Sequence, residues 1–469
     1  MIEALTLTEA ADALRNGTVT SVGLTEAAIA AADRSDASLG VYLARFDEQA
    51  LAAARRADEE LARGVDRGPL HGVPVGVKDT IAAADGPTTA QSLVLDPDWG
   101  AGRDAPVVAR LRAAGAVLTG KTTAMEFGCG LPEPDKPFPI PRNPWRHESW
   151  AGGSSSGSGS GIVAGMFLAA LGSDTGGSIR MPAAFCGVTG LMPTFGRVPV
   201  DGCVPFGYSL DRVGPLARSA RDCSAVLSVI AGVTGFTEPR FEGDLTGVRV
   251  GIAREHHFPA DGDPAVRGAF DEAVSVLAGL GAVPVEITLP YWREMVTATL
   301  VTATSEGLAY HRADLARRWD DYTAAARGLL ATGALVSGAE YVQAQRVRQV
   351  AQRAVDALFA DVDVIVCPTA SIGAPPFDAL ADEAGHQDSA GAFGKIHTLY
   401  WNPLANPVLA VPMGHTASGL PLSMQIAGPV SDEAAVLRAG DAFQRHTAWH
   451  RRTPALDTAV TGPSEEVTA

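Results

Sequence analysis

Apolar residues recur at helical spacing through the first 65 positions, in "LTEAAIAAADRS" and "EQALAAARRADEELARG", and predict two or three helices. The pattern then changes to short apolar runs. "LHGVPVGVKDTI" at 70–81 is β-branched and ends in a charged pair, so it reads as a buried strand presenting Lys78 and Asp79 at its C-terminal end. "DAPVVARLRAAGAVLTGKT" follows as a helix from about residue 106, a stop at Gly115 and a strand over 116–119. This alternation is that of an α/β protein.

Periodicity disappears between 130 and 161, where "LPEPDKPFPIPRNPW" gives way to "GGSSSGSGSG". A Ser/Gly run alone fits a flexible linker. This one leads directly into an apolar stretch at 162–171, read as a helix, and glycines beside a helix start more often shape a site than connect domains. From about 245, "GVRVGIA" reads as a strand opening a region of long amphipathic helices at 263–280, 309–327 and 339–360. "DVDVIVCPTA" at 361–370, "NPVLAVPMG" and "LSMQIAG" read as strands before a last helix near 431–444. No internal repeat is visible and no linker clearly splits the chain.

A length of 469 residues allows two or three domains or one large α/β unit. The content of 46% hydrophobic and 19% charged residues is ordinary for a globular protein. A formal charge of −16 argues against nucleic acid or an anionic membrane as an obligatory partner, since both demand a basic footprint. Five scattered cysteines without a CxxC pair fit reduced thiols better than a disulfide framework or a zinc site. "MIEALTLTEAADALRNGTVT" carries acids where a signal peptide carries bases, and the apolar tract at 162–171 is too short to cross a bilayer. The expectation is a soluble cytoplasmic protein.

Three motifs compete for the chemistry. "GAVLTGKT" at 115–122 matches the phosphate-binding loop pattern, but its variable residues are themselves the expected strand and a helix precedes them. "GSSSG" at 153–157 matches the nucleophile elbow with Ser155 at its centre, yet "PWRHESWAG" before it does not read as a strand, and His446 and His450, which could be offered as a base, lie in a terminal polar stretch and read better as solvated surface histidines. The third reading joins Lys78 to the serine run and to "GSDTGGSIRMPAAFCG" at 172–187. A serine hydroxyl needs an adjacent base, and a lysine serves if burial lowers its ordinary pKa of about 10.4.

"GVPVGVKDTI", "AGGSSSGSGSGIVAG", "GSDTGGSIRMPAAFCGVTGLMPTFGRVP" and "SLDRVGPLARSARDC" together resemble the amidase signature family, over about 70–235 and again over 361–451. The resemblance implies a single domain over 1–469: N-terminal helices at 1–65, a signature core at 66–245, a mostly helical substrate-lining region at 246–360, and closing strands and helix at 361–455. Its fold would be α/β, a large twisted mixed sheet covered by helices on both faces.

It implies a Ser-cisSer-Lys triad in which Ser178 is the nucleophile, Ser154 the bridging serine after a cis Gly153–Ser154 peptide, and Lys78 the base. The backbone N–H groups of Thr175, Gly176, Gly177 and Ser178 would form the oxyanion hole. Ser155 would hydrogen-bond Lys78, Asp174 with Arg180 would brace the loop carrying Ser178, and Gly128 with Cys129 would line the acyl pocket. Ser156 stands where many relatives have glycine. Phe127, Trp150, Tyr400 and Trp401 hint at an apolar or aromatic acyl group, although core packing is the commoner fate of such residues.

The implied activity is hydrolysis of a linear amide, ester or carbamate through an acyl-enzyme, with a small-molecule substrate and no metal or organic cofactor. No nucleic acid or membrane partner is expected, and homodimerisation is left open. The alternative is the ammonia-generating A-type subunit of a tRNA-dependent amidotransferase.

Overall fold

The computed structural model describes residues 2, 5–232, 241, 243–380 and 393–455. The end of the first matching stretch at Gly235, and 381–392 within the closing region, lie outside them. The chain opens with α1 (Leu7–Arg15), α2 (Ser21–Leu39), β1 (Tyr42–Arg45) and α3 (Asp47–Ala62). The central elements are β2 (Pro74–Lys78), α4 (Pro106–Ala113), β3 (Val117–Thr122), β4 (Arg142–Asn143), β5 (Arg146–Trp150), α5 (Ser156–Val163), β6 (Ala169–Asp174), α6 (Arg180–Cys186), β7 (Thr189–Met192), β8 (Arg212–Ala217) and α7 (Ala220–Ile230). Then come β9 (Arg249–Ala253), α8 (Pro264–Gly279), β10 (Val283–Ile287), α9 (Trp292–Arg317), α10 (Ala324–Thr332), α11 (Gly338–Leu358), β11 (Val364–Pro368), β12 (Val408–His415), β13 (Pro421–Ala427) and α12 (Glu433–Arg445).

Eleven strands form one mixed sheet in the order β1-β3-β2-β6-β8-β7-β12-β13-β11-β9-β10. Two runs, β3-β2-β6 and β11-β9-β10, are parallel, antiparallel pairs join them, and β1 adds an antiparallel edge beside β3. Alternation along each strand divides the core between the two faces. Val364 and Val366 of β11 enter one apolar layer with α7, α8 and α12, while Ile365 and Cys367 enter another with α9 and α11. Helices therefore cover both faces, which is why these strands read as unbroken apolar runs.

The Ser/Gly run departs most from the expectation. It is no linker: residues 152–155 form a buried non-helical segment and the rest begins the buried helix α5, and the expected helix at 162–171 ends at Val163, with β6 beginning at Ala169. Glycine is a poor helix former, so packing decides. A Cβ at Gly157 would lie 2.5 Å from the Val41 carbonyl oxygen, and one at Gly161 would lie 2.3 Å from the Phe167 ring. No larger residue lets α5 sit this close to the sheet.

Other differences have local causes. "RHESW" is the strand β5, paired with β4 outside the main sheet and bridged through Ser149 to Pro376. The helix expected at 309–327 starts earlier, at Trp292, and breaks after Arg317. In the Thr-rich first half of α9, Thr299 and Thr304 satisfy their hydroxyls on carbonyls one turn back. The break is fixed by Glu126, which accepts from the Thr323 N–H at 2.6 Å and hydroxyl at 2.7 Å, while Thr323 caps α10. The strands β1, β7, β8 and β10 carry too little pattern to be read from sequence, and β9 and β10 place part of the 246–360 region in the sheet itself.

Candidate active site

Two neighbouring parallel strands bring the first groups together. The register Val77↔Leu171 between β2 and β6 sets Lys78 beside the end of β6. Lys78 is fully buried; its Nζ donates to Ser154 Oγ at 2.7 Å and to Ser173 Oγ at 2.9 Å. Burial pushes its ammonium down from the ordinary 10.5 to about 8, against the opposing pull of the Asp174 and Asp211 carboxylates. Asp79, one residue on, points the other way and pairs with buried Lys121 at 2.9 Å. That pair also ends the phosphate-loop reading: Gly115 is the turn after α4, and Lys121 is a strand residue held by Asp79 and Thr88.

The serine run approaches from the other side. The Gly153–Ser154 peptide is cis. Ser154 accepts the Met125 N–H at its carbonyl, and the Ser155 N–H donates to the Ser178 carbonyl at 3.1 Å, tying the two serine segments together. Ser155 does not reach Lys78 as expected. Its hydroxyl donates to the Ser173 carbonyl at 3.2 Å, and Ser173 takes the place foreseen for Ser155 as the second hydroxyl on the lysine. Ser173 lies at the end of β6 beside the strand end that carries Lys78, within reach of the long lysine side chain, while Asp174 leaves on the opposite side of the strand.

Asp174 organises the turn that follows. It accepts the Gly177 N–H at 2.7 Å and the Ile179 N–H at 3.1 Å, and both its oxygens receive the Arg180 guanidinium at 3.1 Å. Arg180 and Asp174 are wholly buried, and Asn402, Gln425 and the Thr398 carbonyl complete the guanidinium's shell. Burial alone would raise the Asp174 carboxyl, but Arg180, Asn402 and the Ile179 N–H outweigh it and hold the group well below the usual carboxylate range.

The expected set of four oxyanion donors is altered accordingly. The Gly177 N–H is engaged by Asp174, whereas the amides of Thr175, Gly176 and Ser178 have no protein acceptor among the described residues. Ser178 is 9% exposed, and its hydroxyl likewise makes no hydrogen bond to a described residue.

Gly177 has a conformational task. Its φ is +126°, and a Cβ there would fall 2.0 Å from Thr398 Oγ1, which donates to the Gly176 carbonyl at 2.7 Å. Gly177→Ala is expected to destabilise the protein by about 1–3 kcal/mol through overpacking and to abolish activity; thermal denaturation alongside a hydrolysis assay checks both.

The pocket candidates divide. Gly128, at φ +80°, flanks the serine run, since a Cβ there would lie 3.6 Å from Ser154 Oγ. Cys129 is buried and donates to the Glu126 carbonyl, and burial pushes its thiol up. Phe127, Trp150, Tyr400 and Trp401 are not brought together; they sit fully buried in three separate apolar clusters, as core. Ser173, Thr398, Asn402 and Gln425 escaped the sequence reading. Only Gln425 carried a signal, as an amide inside the apolar strand "LSMQIAG".

The described residues contain no group of three or more His, Cys, Asp or Glu able to hold a metal, and no helix long and apolar enough to cross a membrane.

A sheet of this order, with a lysine, two serines and a glycine-rich turn at the ends of adjacent strands, defines a class. The family profile described as Amidase matches residues 23–437, and the chain belongs to that family of enzymes. The A-type subunit of the glutamyl-tRNA(Gln) amidotransferase from Roseiflexus sp. (strain RS-1) is 39% identical over 97% of this chain and 99% of its own. AmiD of Mycobacterium tuberculosis (strain ATCC 25618 / H37Rv), a proposed amidase, is 38% identical over 97% of this chain and 96% of its own. A crystal structure of an amidase superposes with a TM-score of 0.85, at 30% identity over 94% of this chain and 100% of that one.

Proposed function

We propose that the protein hydrolyses a small linear amide through an acyl-enzyme on Ser178. Lys78, neutral, takes the Ser154 proton while Ser154 takes that of Ser178, and Ser178 Oγ attacks the carbonyl carbon. The oxyanion that forms meets the amides of Thr175, Gly176 and Ser178. The proton returns through Ser154 to the leaving nitrogen, and water entering along the same relay releases the acid. The single observation carrying this reading is the 2.7 Å hydrogen bond between buried Lys78 Nζ and Ser154 Oγ, in a site where burial lowers the lysine to about 8. Esters and carbamates would follow the same route.

The sign of the pH dependence is fixed by the base. Lys78 must be unprotonated to act, so kcat/KM is expected to fall tenfold per unit as pH drops below about 8 and to level off above it. A pH–rate profile on any cleaved amide checks this.

The 39% identity to the A-type chain of an amidotransferase, over nearly the whole of both proteins, favours a second reading, a glutaminase subunit. That relative's name joins its chemistry to a glutamyl-tRNA and to companion subunits, which would reopen the expectation that nucleic acid plays no part. The purified chain alone, given anilides, aliphatic amides, indole acetamide and glutamine, separates the two. Turnover of a non-glutamine amide supports the first reading; turnover confined to glutamine supports the second.

A further inference from the structure

Strand alternation at the end of β6 singles out a residue that the mechanism above does not use. Ser173 and Thr175 lie on one side of the chain and Asp174 on the other. Ser173 meets Lys78 and Asp174 meets Arg180. The antiparallel register with β8 ends at Asp174↔Arg212, so the next residues across, Thr175 and Asp211, face each other on a common side. Thr175 Oγ1 donates to Asp211 Oδ1 at 2.5 Å.

Asp211 is a buried carboxylate without a cation. Oδ1 also accepts the Gly207 N–H at 3.1 Å, and Oδ2 accepts the Phe206 N–H at 3.0 Å; no salt bridge reaches either oxygen among the described residues. It thereby joins the loop at 205–211 to the turn carrying Ser178. The loop packs on the same turn, since a Cβ at Gly207 would sit 3.1 Å from Thr175 Cγ2 and 3.4 Å from Ala303 of α9. Its outer end is gripped by Glu306, which accepts the Ser209 N–H at 2.9 Å, and by Arg348, which donates to the Ser209 carbonyl and hydroxyl. A buried, unpaired carboxylate is costly to keep. Three donors from two segments, one of them the short Thr175 hydroxyl contact, give it a task.

We propose that Asp211 is a positioning residue, acting through the Thr175 hydroxyl to fix the Thr175 N–H where the oxyanion forms. It rests on the reading of Ser178 as nucleophile. A carboxylate serves where an amide would not: an asparagine oxygen could take one pair of donors, but its NH2 would then oppose the Phe206 N–H. The negative charge has a second consequence, because Asp211 is, with Asp174, among the groups holding the Lys78 proton, while the neutral thiols of Cys203 and Cys129 and the hydroxyls of Ser154 and Ser173 complete the groups facing the lysine.

The test is the rate at which a fluorophosphonate probe labels Ser178, followed by mass spectrometry as a function of pH. In this step Ser178 Oγ bonds to phosphorus, the P–F bond breaks, fluoride leaves, and the hydroxyl proton passes through Ser154 to Lys78. Asp211→Asn and Thr175→Val are each expected to lower the plateau rate by about tenfold to a hundredfold, and the double variant to be no slower than the slower single one. Thr175→Ser, which keeps the hydroxyl, is expected to label at the wild-type rate. The acid limb is expected at lower pH in Asp211→Asn but unmoved in Thr175→Val.

Wild-type rates and limbs in both single variants, or effects that multiply, would overturn the proposal. If Asp211→Asn does not fold, the contrast between Thr175→Val and Thr175→Ser decides. A wild-type protein that labels at another residue overturns the reading of Ser178 as nucleophile along with it, whereas labelling at Ser178 with indifferent variants overturns this proposal alone.

Discussion

Ser178→Ala is expected to lower amide hydrolysis by about 10,000-fold or more while leaving the melting temperature within a degree or two of the wild type. The two halves of that expectation come from the same geometry. The Ser178 hydroxyl makes no hydrogen bond to a described residue, so removing it orphans no partner, and the side chain shrinks by one atom at the margin of the site. The pair Lys78 and Ser154 stays intact, since their 2.7 Å contact does not depend on Ser178 Oγ. Activity is then lost because the attacking atom is gone and not because the site has collapsed. Hydrolysis and thermal denaturation measured on one preparation separate these causes, and wild-type turnover in the variant would sink the assignment.

Arg180→Met should act in the opposite sense, on stability first. The guanidinium is wholly buried and donates to Asp174, Gln425, Asn402 and the Thr398 carbonyl. Methionine fills comparable volume but leaves the Asp174 charge uncompensated, a change that costs about 3–5 kcal/mol where buried pairs are broken one-sidedly. Replacing both partners at once is expected to be milder than replacing Arg180 alone, because no stranded charge remains. Urea unfolding of Arg180→Met and of the double variant Asp174→Asn/Arg180→Met checks the order. A single variant as stable as the wild type would show that the pair does not hold the turn.

Much of the site was legible because its residues crowd into short stretches. Lys78 closes an apolar strand, and the serines and glycines of 153–157 and 173–178 stand out against any periodic background. The exchange of Ser155 for Ser173 as the second hydroxyl on Lys78 was not legible, since it depends on which side of β6 each side chain leaves. Nor were Thr398, Asn402 and Gln425, which lie more than 200 residues from Arg180 and meet it only through the order of strands in the sheet. For the fold, long periodic helices and apolar strands were readable. α5 was not, because its sequence opposes a helix and only the closeness of Val41, Thr123 and Phe167 makes one.

The distance in sequence between Arg180 and the groups that surround it also sets an order of events during synthesis. A growing chain that has emerged as far as Ser371 already contains Lys78, Ser154 and Ser178, yet Thr398, Asn402 and Gln425 are still inside or unmade by the ribosome. Until they arrive, Asp174 is the one of its side-chain partners that the Arg180 guanidinium can meet. The shell around the guanidinium is thus completed only when the closing strands are in place.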